Sequence, residues 1–438
     1  MSDGQAVIDF ATSQRWYGSK TQTVINAEVI DRAVLRDTEP TLELQLVELR
    51  FETGTHETYQ LVVGESLDAL EDPRRVRELV HMIRAGTRVA AEHGTIEFAP
   101  AAGLAGVAPE LHAARSMEIE QSNSSIVFDE ELILKVFRRL SAGINPELEL
   151  LRFLTEHGFP HIAQLAGWYA YTGEPFDATL GILQRFVTGG VDGWELALDR
   201  MNDGSGGVLP LLRRLGAVTG ELHAVLASDV DDPTFAPEQP SVEALALLTA
   251  TVDEEIEQIF LDLPADNPAL DPIRGRGEEV RERLRLLTNI GGVGQVIRHH
   301  GDFHLGQTLW TDGDWILLDF EGEPARPLSE RRLKRSPLRD VAGMLRSFAY
   351  AASTSLIVNG VAPPEGWEEQ ARSEFIAGYM ATVDPYLLPS GSAFQKLLAV
   401  YELEKAVYEL RYELNNRPDW IGIPVAGIVR MLDSEVPG

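Results

Sequence analysis

Over residues 41–51 the chain alternates apolar and polar positions; Gly54-Thr-His interrupts the pattern, and Thr58-Tyr-Gln-Leu-Val-Val resumes it. A period of two on either side of a short glycine-containing loop predicts a β-hairpin in an antiparallel sheet. A helical period follows over residues 73–84, and short apolar stretches occupy 95–107. Strand signals come next at 114–120, 125–128 and 132–137, the last two separated by Asp129-Glu-Glu. Pro146 then opens a helix over 147–157, with Leu148, Leu151 and Leu154 at helical spacing and Gly158-Phe-Pro closing it. Residues 163–171 and 179–186 read as two further strands.

Beyond Thr188-Gly-Gly the pattern turns mainly helical, over 209–226, 241–263, 272–288, 367–383 and 394–414. Between the third and fourth of these, 296–299 and 315–320 read as short strands around a polar loop. The pattern predicts an α+β chain in three parts: a small β-rich unit over 1–88, a β-rich lobe over 89–187 and a helical lobe over 188–438. A β lobe hinged to an α lobe is a shape suited to clamping a small ligand.

Composition narrows the function classes. At 438 residues the chain is too long for one core, and no apolar run nears the ~18 residues of a membrane span. The start, MSDGQAVIDF, has no basic segment ahead of an apolar stretch, so a secretory signal is not expected and a cytoplasmic location is. Cysteine is absent, which excludes disulfides, thiolate metal sites and cysteine nucleophiles. With 68 acidic against 38 basic residues, the net charge of −30 argues against a nucleic-acid partner. Only five of the basic residues are lysines, so a lysine kept in an apolar setting draws attention.

The sharpest local signal is His300-Gly-Asp-Phe-His-Leu-Gly-Gln307, followed by Leu318-Asp319-Phe320. Asp302 supplies a carboxylate able to orient and deprotonate an acceptor hydroxyl. Gln307 and Asp319 supply hard oxygens for Mg²⁺, the parts that phosphoryl transfer requires. The competing reading is a turn whose Asp and Gln cap the next helix, which leaves Asp319 without a role. His300 and His304 have zinc-ligand spacing, but the glycine between them favours a loop. Lys135 lies in the apolar strand Ile133-Leu-Lys-Val-Phe and requires an acidic partner. Glu149 on the next helix is the expected one, ahead of Glu147 at the helix start. No glycine-rich GxGxxG precedes this strand; Glu120-Gln-Ser-Asn-Ser-Ser125 occupies its place. Asp340, in Ser336-Pro-Leu-Arg-Asp-Val-Ala, reads as an acid bracing the catalytic loop from a helix N-terminus. His223 reads as packing.

In this order Lys135, Glu149, hinge, HGDxHxxQ and Asp-Phe-Glu resemble the aminoglycoside phosphotransferase-like kinases, and more closely the actinobacterial maltokinases and glucosamine kinases. Gln14-Arg-Trp-Tyr-Gly, Leu134-Lys-Val-Phe-Arg-Arg, Gly143-Ile-Asn-Pro, Asp319-Phe-Glu-Gly-Glu-Pro, Lys405-Ala-Val-Tyr-Glu and Asn416-Arg-Pro carry the closer likeness. The resemblance implies a bilobal protein-kinase-like fold with an N-terminal β-rich cap, using ATP and Mg²⁺ on a small sugar. It implies Asp302 as base, Gln307 and Asp319 as metal ligands, and Lys135 with Glu149 at the ATP phosphates. Ser122, Asn123 and Ser124 would cover those phosphates, and Gln184, Phe186 and Val187 would meet the adenine. Asp302, His304, Glu409, Tyr412, Glu413 and Trp420 would face the sugar. On a helix Glu409 and Glu413 stand one turn apart, a pairing that suits a cationic monosaccharide such as glucosamine, phosphorylated at its 6-hydroxyl. The alternatives are neutralisation of those acids by Lys405 and Arg417, maltose 1-phosphorylation, and a catalytically silent kinase-like binding protein.

Overall fold

The computed structural model describes residues 3–117, 123–174, 176–202, 207–288, 292–324, 326–357 and 360–434. It divides into two compact units, one running to Gly189 with Arg326–Leu328 and the other holding the rest from Gly190. Among the described residues, no helix is long and apolar enough to cross a membrane.

In the first unit, helix α1 (Asp3–Ser13) precedes strands β1 (Val24–Arg36), β2 (Leu42–Phe51) and β3 (His56–Val63). The chain continues through helix α2 (Pro73–Ala85), strands β4 (Arg88–Ala90), β5 (Gly94–Pro100), β6 (Ala114–Met117), β7 (Asn123–Phe128), β8 (Leu132–Phe137) and β9 (Arg139–Leu140), and helix α3 (Pro146–Glu156). Strands β10 (Leu165–Gly173) and β11 (Ala178–Arg185) complete it. The hairpin read from the alternating runs is β2 and β3, paired antiparallel from Glu43 opposite Val63 to Arg50 opposite His56. Strand β1 escaped the pattern because its register against β2 shifts at three places, between Val24 and Asn26, Val29 and Asp31, and Val34 and Arg36. Each irregularity inverts the phase, and over 31–35, where burial does alternate, Asp31 is inside and Val34 outside, so apolar residues do not mark the buried face.

Two sheets result. One has the order β1-β2-β3-β9, the other β4-β5-β10-β11-β8-β7-β6. Val7 and Ala11 of α1, followed by Trp16 and Tyr17, pack on Val47, Leu49, Phe51, Tyr59 and Leu61 of the first sheet. Buried polar groups tie the sheets together. Gln60 of β3 donates to the carbonyls of Phe137 (2.7 Å) and Leu180 and accepts from the Tyr169 hydroxyl (3.3 Å). Asp31 of β1 accepts from the Tyr171 hydroxyl (2.7 Å) and the His93 amide (3.1 Å).

The second unit begins with strand β12 (Val191–Asp192) and helices α4 (Gly193–Asn202), α5 (Leu209–Leu226), α6 (Val242–Leu261) and α7 (Gly277–Thr288). Strands β13 (Thr308–Thr311) and β14 (Asp314–Leu317) join β12 in a small sheet. The single turn α8 (Leu328–Arg331) leads to α9 (Leu338–Ile357), α10 (Trp367–Thr382), α11 (Ser392–Asn416) and α12 (Gly422–Asp433). One expectation is corrected here. Residues 296–299 form no strand, only isolated bridges of Val296 with Glu238 and Ile297 with Arg335. The hairpin lies within the polar loop instead, turning at Asp312-Gly313 with both φ angles positive, 52° and 83°.

Helix α11 has a low amphipathic signal because it is covered on two sides. Val400, Leu403, Val407 and Leu410 enter a core with Val252, Ile256, Val280, Leu284, Val425 and Ile428. A second stripe, Glu402, Lys405, Glu409 and Glu413, recurs every three to four residues and carries charge. Helices α5 and α10 cross at glycine. A Cβ added at Gly378 would lie 1.8 Å from the Arg213 carbonyl oxygen, and one at Gly216 would lie 1.9 Å from that of Phe375. Gly378→Ala therefore gains about 1 kcal/mol of helix propensity but drives a methyl into a fixed backbone oxygen. We expect a net loss of roughly 1–3 kcal/mol, read as a lowered urea midpoint. An unchanged midpoint would show that the crossing relaxes freely.

Candidate active site

The loop from His300 to Gln307 owes its shape to one carboxylate. Asp340, in the first turn of α9, accepts the His300 amide on Oδ2 (2.8 Å) and the Gly301 amide on Oδ1 (2.9 Å). Gly301 has φ +88°, a conformation that glycine adopts without strain. His223 of α5 lies 3.1 Å from the same Oδ2 through Nε2, and its Nδ1 is 3.0 Å from the Tyr379 hydroxyl of α10. These partners assign the tautomer: Nε2–H donates to Asp340 and the tyrosine hydroxyl donates to Nδ1. Burial opposes the Asp340 charge, but the His223 hydrogen bond and the neighbouring histidines outweigh it and hold the carboxyl well below its usual range. The bracing role read for Asp340 is thus what the structure shows, with His223 as its support.

The loop is also closed on itself. The His300 ring nitrogen Nε2 donates to the Leu318 carbonyl (2.8 Å), and the Leu318 amide donates to that of Gln307 (2.9 Å). The Leu305 amide donates to Ser347 Oγ (3.1 Å). Gln307 and Asp319 meet: Gln307 Nε2 donates to Asp319 Oδ2 at 3.2 Å. Asp319 has φ +57°, a left-handed conformation uncommon outside glycine that turns the chain just beyond β14.

Asp302 meets a partner that the sequence reading had placed elsewhere. Lys405 Nζ lies 3.2 Å from Asp302 Oδ1 and 2.8 Å from Glu323 Oε1, with the Tyr408 ring 5.0 Å away. Burial disfavours this ammonium, yet Asp302 and Glu323 overcome the penalty and hold it charged. Glu323 and Lys405 are therefore site residues that the reading missed, although the scarcity of lysine was a usable signal. His304 lies in the same loop, and burial lowers its pKa.

The acids expected to face a sugar ammonium stand on one face, as their spacing requires, and each already has an arginine. Arg346 of α9 contacts Glu409 Oε2 through Nη2 (2.6 Å) and Nε (3.0 Å). Glu413 receives Arg417 at 2.6 and 2.9 Å and the Tyr350 hydroxyl at 3.1 Å. Burial raises the Glu409 pKa, and Arg346 works against that rise. Neutralisation of Glu413 by Arg417 matches the alternative reading, whereas Glu409 takes Arg346 as its hydrogen-bonded partner. Tyr412 is exposed, and the Arg417 guanidinium lies 5.3 Å from its ring and 4.8 Å from that of Trp420. Trp420 also stacks on Tyr350 with centroids 6.4 Å apart.

In the first unit, Lys135 Nζ lies 2.8 Å from Glu147 Oε2, so the acid ranked second is in hydrogen-bond contact. Side chains on a helix lean toward its N-terminus, and from the first turn of α3, capped by Asn145, Glu147 projects past the helix end. Glu149 is buried one half-turn further on. Asn123 and Ser124 open β7, while Ser122 lies outside the described residues. Gln184 sits opposite Ile133 on β11, and the Phe186 amide donates to the Glu131 carbonyl (2.9 Å), which fixes the segment leading to Val187.

The sequence model of the Phosphotransferase enzyme family matches residues 114–358, more than half of the chain. The chain belongs to that family. Residues 10–90 match the Maltokinase N-terminal cap domain. A glucosamine kinase of Mycolicibacterium smegmatis is 25% identical over 337 residues, covering 73% of this chain and 79% of its own. One from Streptacidiphilus jiangxiensis is 25% identical over 341 residues, covering 75% of each. A glucosamine kinase structure, crystal form B, superimposes with a TM-score of 0.76 at 19% identity, over 97% of this chain and 99% of that one. A second, in complex with glucosamine, ADP and inorganic phosphate, gives 0.74 at 19% identity, over 97% and 98%. The phosphotransferase fold with a maltokinase-type cap, expected from the motif order, is the fold observed.

Two expectations follow from the buried charges. Burial holds the His299 imidazole neutral, with its pKa lowered to about 3 despite the opposing Asp340 charge. Between its unfolded value near 6.5 and about 3, only the unfolded chain binds this proton, so stability falls as pH falls across that window. Asp340 adds to the fall below about pH 4, where the unfolded carboxylate protonates. The urea midpoint should drop from pH 6.5 toward 4, and His299→Gln should flatten that slope; an unaltered slope would assign the acid sensitivity elsewhere. Arg346→Met should cost about 3–5 kcal/mol by leaving Glu409 buried without its guanidinium, and Arg346→Met with Glu409→Met should recover most of it. Additive losses would show that the pair is not coupled.

Proposed function

We propose that this protein is an ATP- and Mg²⁺-dependent kinase that phosphorylates D-glucosamine to D-glucosamine 6-phosphate. The observation that carries this reading is the Asp302 carboxylate, presented by a loop that Asp340 braces and held at Oδ1 by Lys405. With Oδ1 occupied, Oδ2 is the atom that takes the proton of the acceptor hydroxyl, and the fixed loop orients that hydroxyl for attack. Glu323 shares the ammonium, so Lys405 withdraws only part of the negative charge from Asp302. Gln307 and Asp319, side by side, form a hard-oxygen donor set that fits Mg²⁺. When bound, the ion neutralises charge on the transferring phosphate. Lys135, charge-paired with Glu147, suits the nucleotide phosphates, and 184–187 supply the segment for the base.

Glucosamine is favoured because two relatives matched over some three quarters of the chain are glucosamine kinases. Exposed Tyr412 and stacked Trp420 offer aromatic faces suited to a pyranose ring. Maltose 1-phosphorylation is the second reading, favoured by the cap over 10–90. Purified protein with ATP and Mg²⁺ should transfer phosphate to glucosamine at a higher kcat/KM than to glucose, maltose or N-acetylglucosamine. Asp302→Asn should lower kcat by about 10²- to 10⁴-fold while ADP still binds. Maltose as the best substrate would sink the glucosamine reading, and near-normal turnover by Asp302→Asn would remove Asp302 from the chemistry.

A further inference from the structure

Strand register sorts the residues around Lys135 by face. Lys135 stands opposite Ser125 on β7 and Ile182 on β11, so these three side chains share one face of the sheet. Two residues away on that face, Arg115 of β6, Val127, Ile133 and Gln184 form a row across four strands. Ser124, opposite Val136, turns to the other face. Arg115 closes the row on β6, at the end of the sheet. Its guanidinium carbon lies 5.6 Å from the centre of the Phe186 ring, within cation–π range.

A turn that is costly to make holds the guanidinium there. Nε and Nη2 of Arg115 donate to Glu130 Oε1 (2.7 Å) and Oε2 (2.9 Å), a two-pronged ion pair that fixes the guanidinium plane. The neighbouring Asp129 accepts the His112 (2.8 Å) and Ala113 (2.6 Å) amides, which lead into β6. Asp129 and Glu130 are the central residues of the turn between β7 and β8, closed by the Glu131 amide on the Phe128 carbonyl (2.9 Å). Their φ angles are 50° and 54°. Two successive positive angles outside glycine carry strain, and hairpin turns of this kind ordinarily take Asn-Gly or Asp-Gly. The strain places two carboxylates, one on the start of β6 and the other on Arg115.

We propose that Arg115 is a nucleobase-binding residue that forms the outer wall of the adenine site, positioned by Glu130 and by the Phe186 ring. This rests on the kinase reading above, in which 184–187 meet the base and Lys135 the phosphates. With the guanidinium pinned at Glu130, the methylene stem of Arg115 is left to lie over the base, in line with Val127 and Ile133. A flat, neutral purine suits a wall of methylenes and branched apolar side chains. A bare phosphate chain gains nothing from it.

The test separates base from phosphate. Affinities for ADP, adenosine and inorganic tripolyphosphate are measured by calorimetry and by displacement of ADP, with Mg²⁺ present and no sugar. Arg115→Ala should weaken ADP and adenosine by about three- to tenfold and leave tripolyphosphate unchanged. Glu130→Gly relieves the turn and frees the arginine, so the thermal midpoint should not fall while ADP and adenosine weaken by about two- to threefold. A merely structural ion pair would give the reverse, a lower midpoint with nucleotide affinity intact. Added to Arg115→Ala, Glu130→Gly should cause no further loss of adenosine affinity. Unchanged adenosine affinity in Arg115→Ala, an equal loss for tripolyphosphate, or additive losses in the double variant would overturn the proposal and leave the kinase reading standing. Wild-type protein that bound neither ADP nor tripolyphosphate would overturn that reading, and the wall with it.

Discussion

A single buried carboxylate organises the catalytic unit. Asp340 receives two consecutive backbone amides from the 300–307 loop and an imidazole from α5. Charge-assisted bonds of this kind are about twice as strong as neutral ones, and in a low-dielectric interior each one left unmade costs correspondingly more. The close glycine crossing of α5 and α10 follows from the same need, since it brings the rings of His223 and Tyr379 into hydrogen-bond range. The 300–307 loop thus presents Asp302 from a surface that has little freedom to move, although it has almost no regular structure of its own.

Helix α11 meets that loop with its charged stripe. Acids at 402, 404, 409 and 413 receive Arg372, Arg339, Arg346 and Arg417, while Lys405 alone reverses the sign and reaches Asp302. Desolvating so many charges adds little net stability; what it secures is a unique alignment of α11 against α9 and α10. The ammonium beside the Asp302 carboxylate is thereby set to hydrogen-bond accuracy.

Much of this was legible in the residue order. The hairpin of β2 and β3 and the helix 209–226 followed from periodicity, and the His300-Gly-Asp loop with Asp319 followed from the needs of phosphoryl transfer. What escaped has physical causes. Strand β1 was hidden because its bulges break the alternation, and β13 because its four residues sit in a polar loop. Glu147 was placed second because it lies at the helix start, yet from that first turn its carboxylate reaches Lys135. The partners of Glu409 and Asp302 lie 63 and 103 residues away along the chain, so no local pattern connects them.

The short strand β9 has a consequence for how such proteins are built. Arg139 and Leu140 pair with Tyr59 and Thr58, so the outer strand of the cap sheet is supplied by chain that follows the Lys135 strand. A cap joined in this way is not a cassette. Transplanting residues 1–88 onto another kinase would leave β3 with a raw edge, prone to recruiting any extended segment nearby. Recombination between relatives would preserve the sheet only when its crossover falls beyond Leu140, which makes the cap and the Lys135 strand a single heritable block.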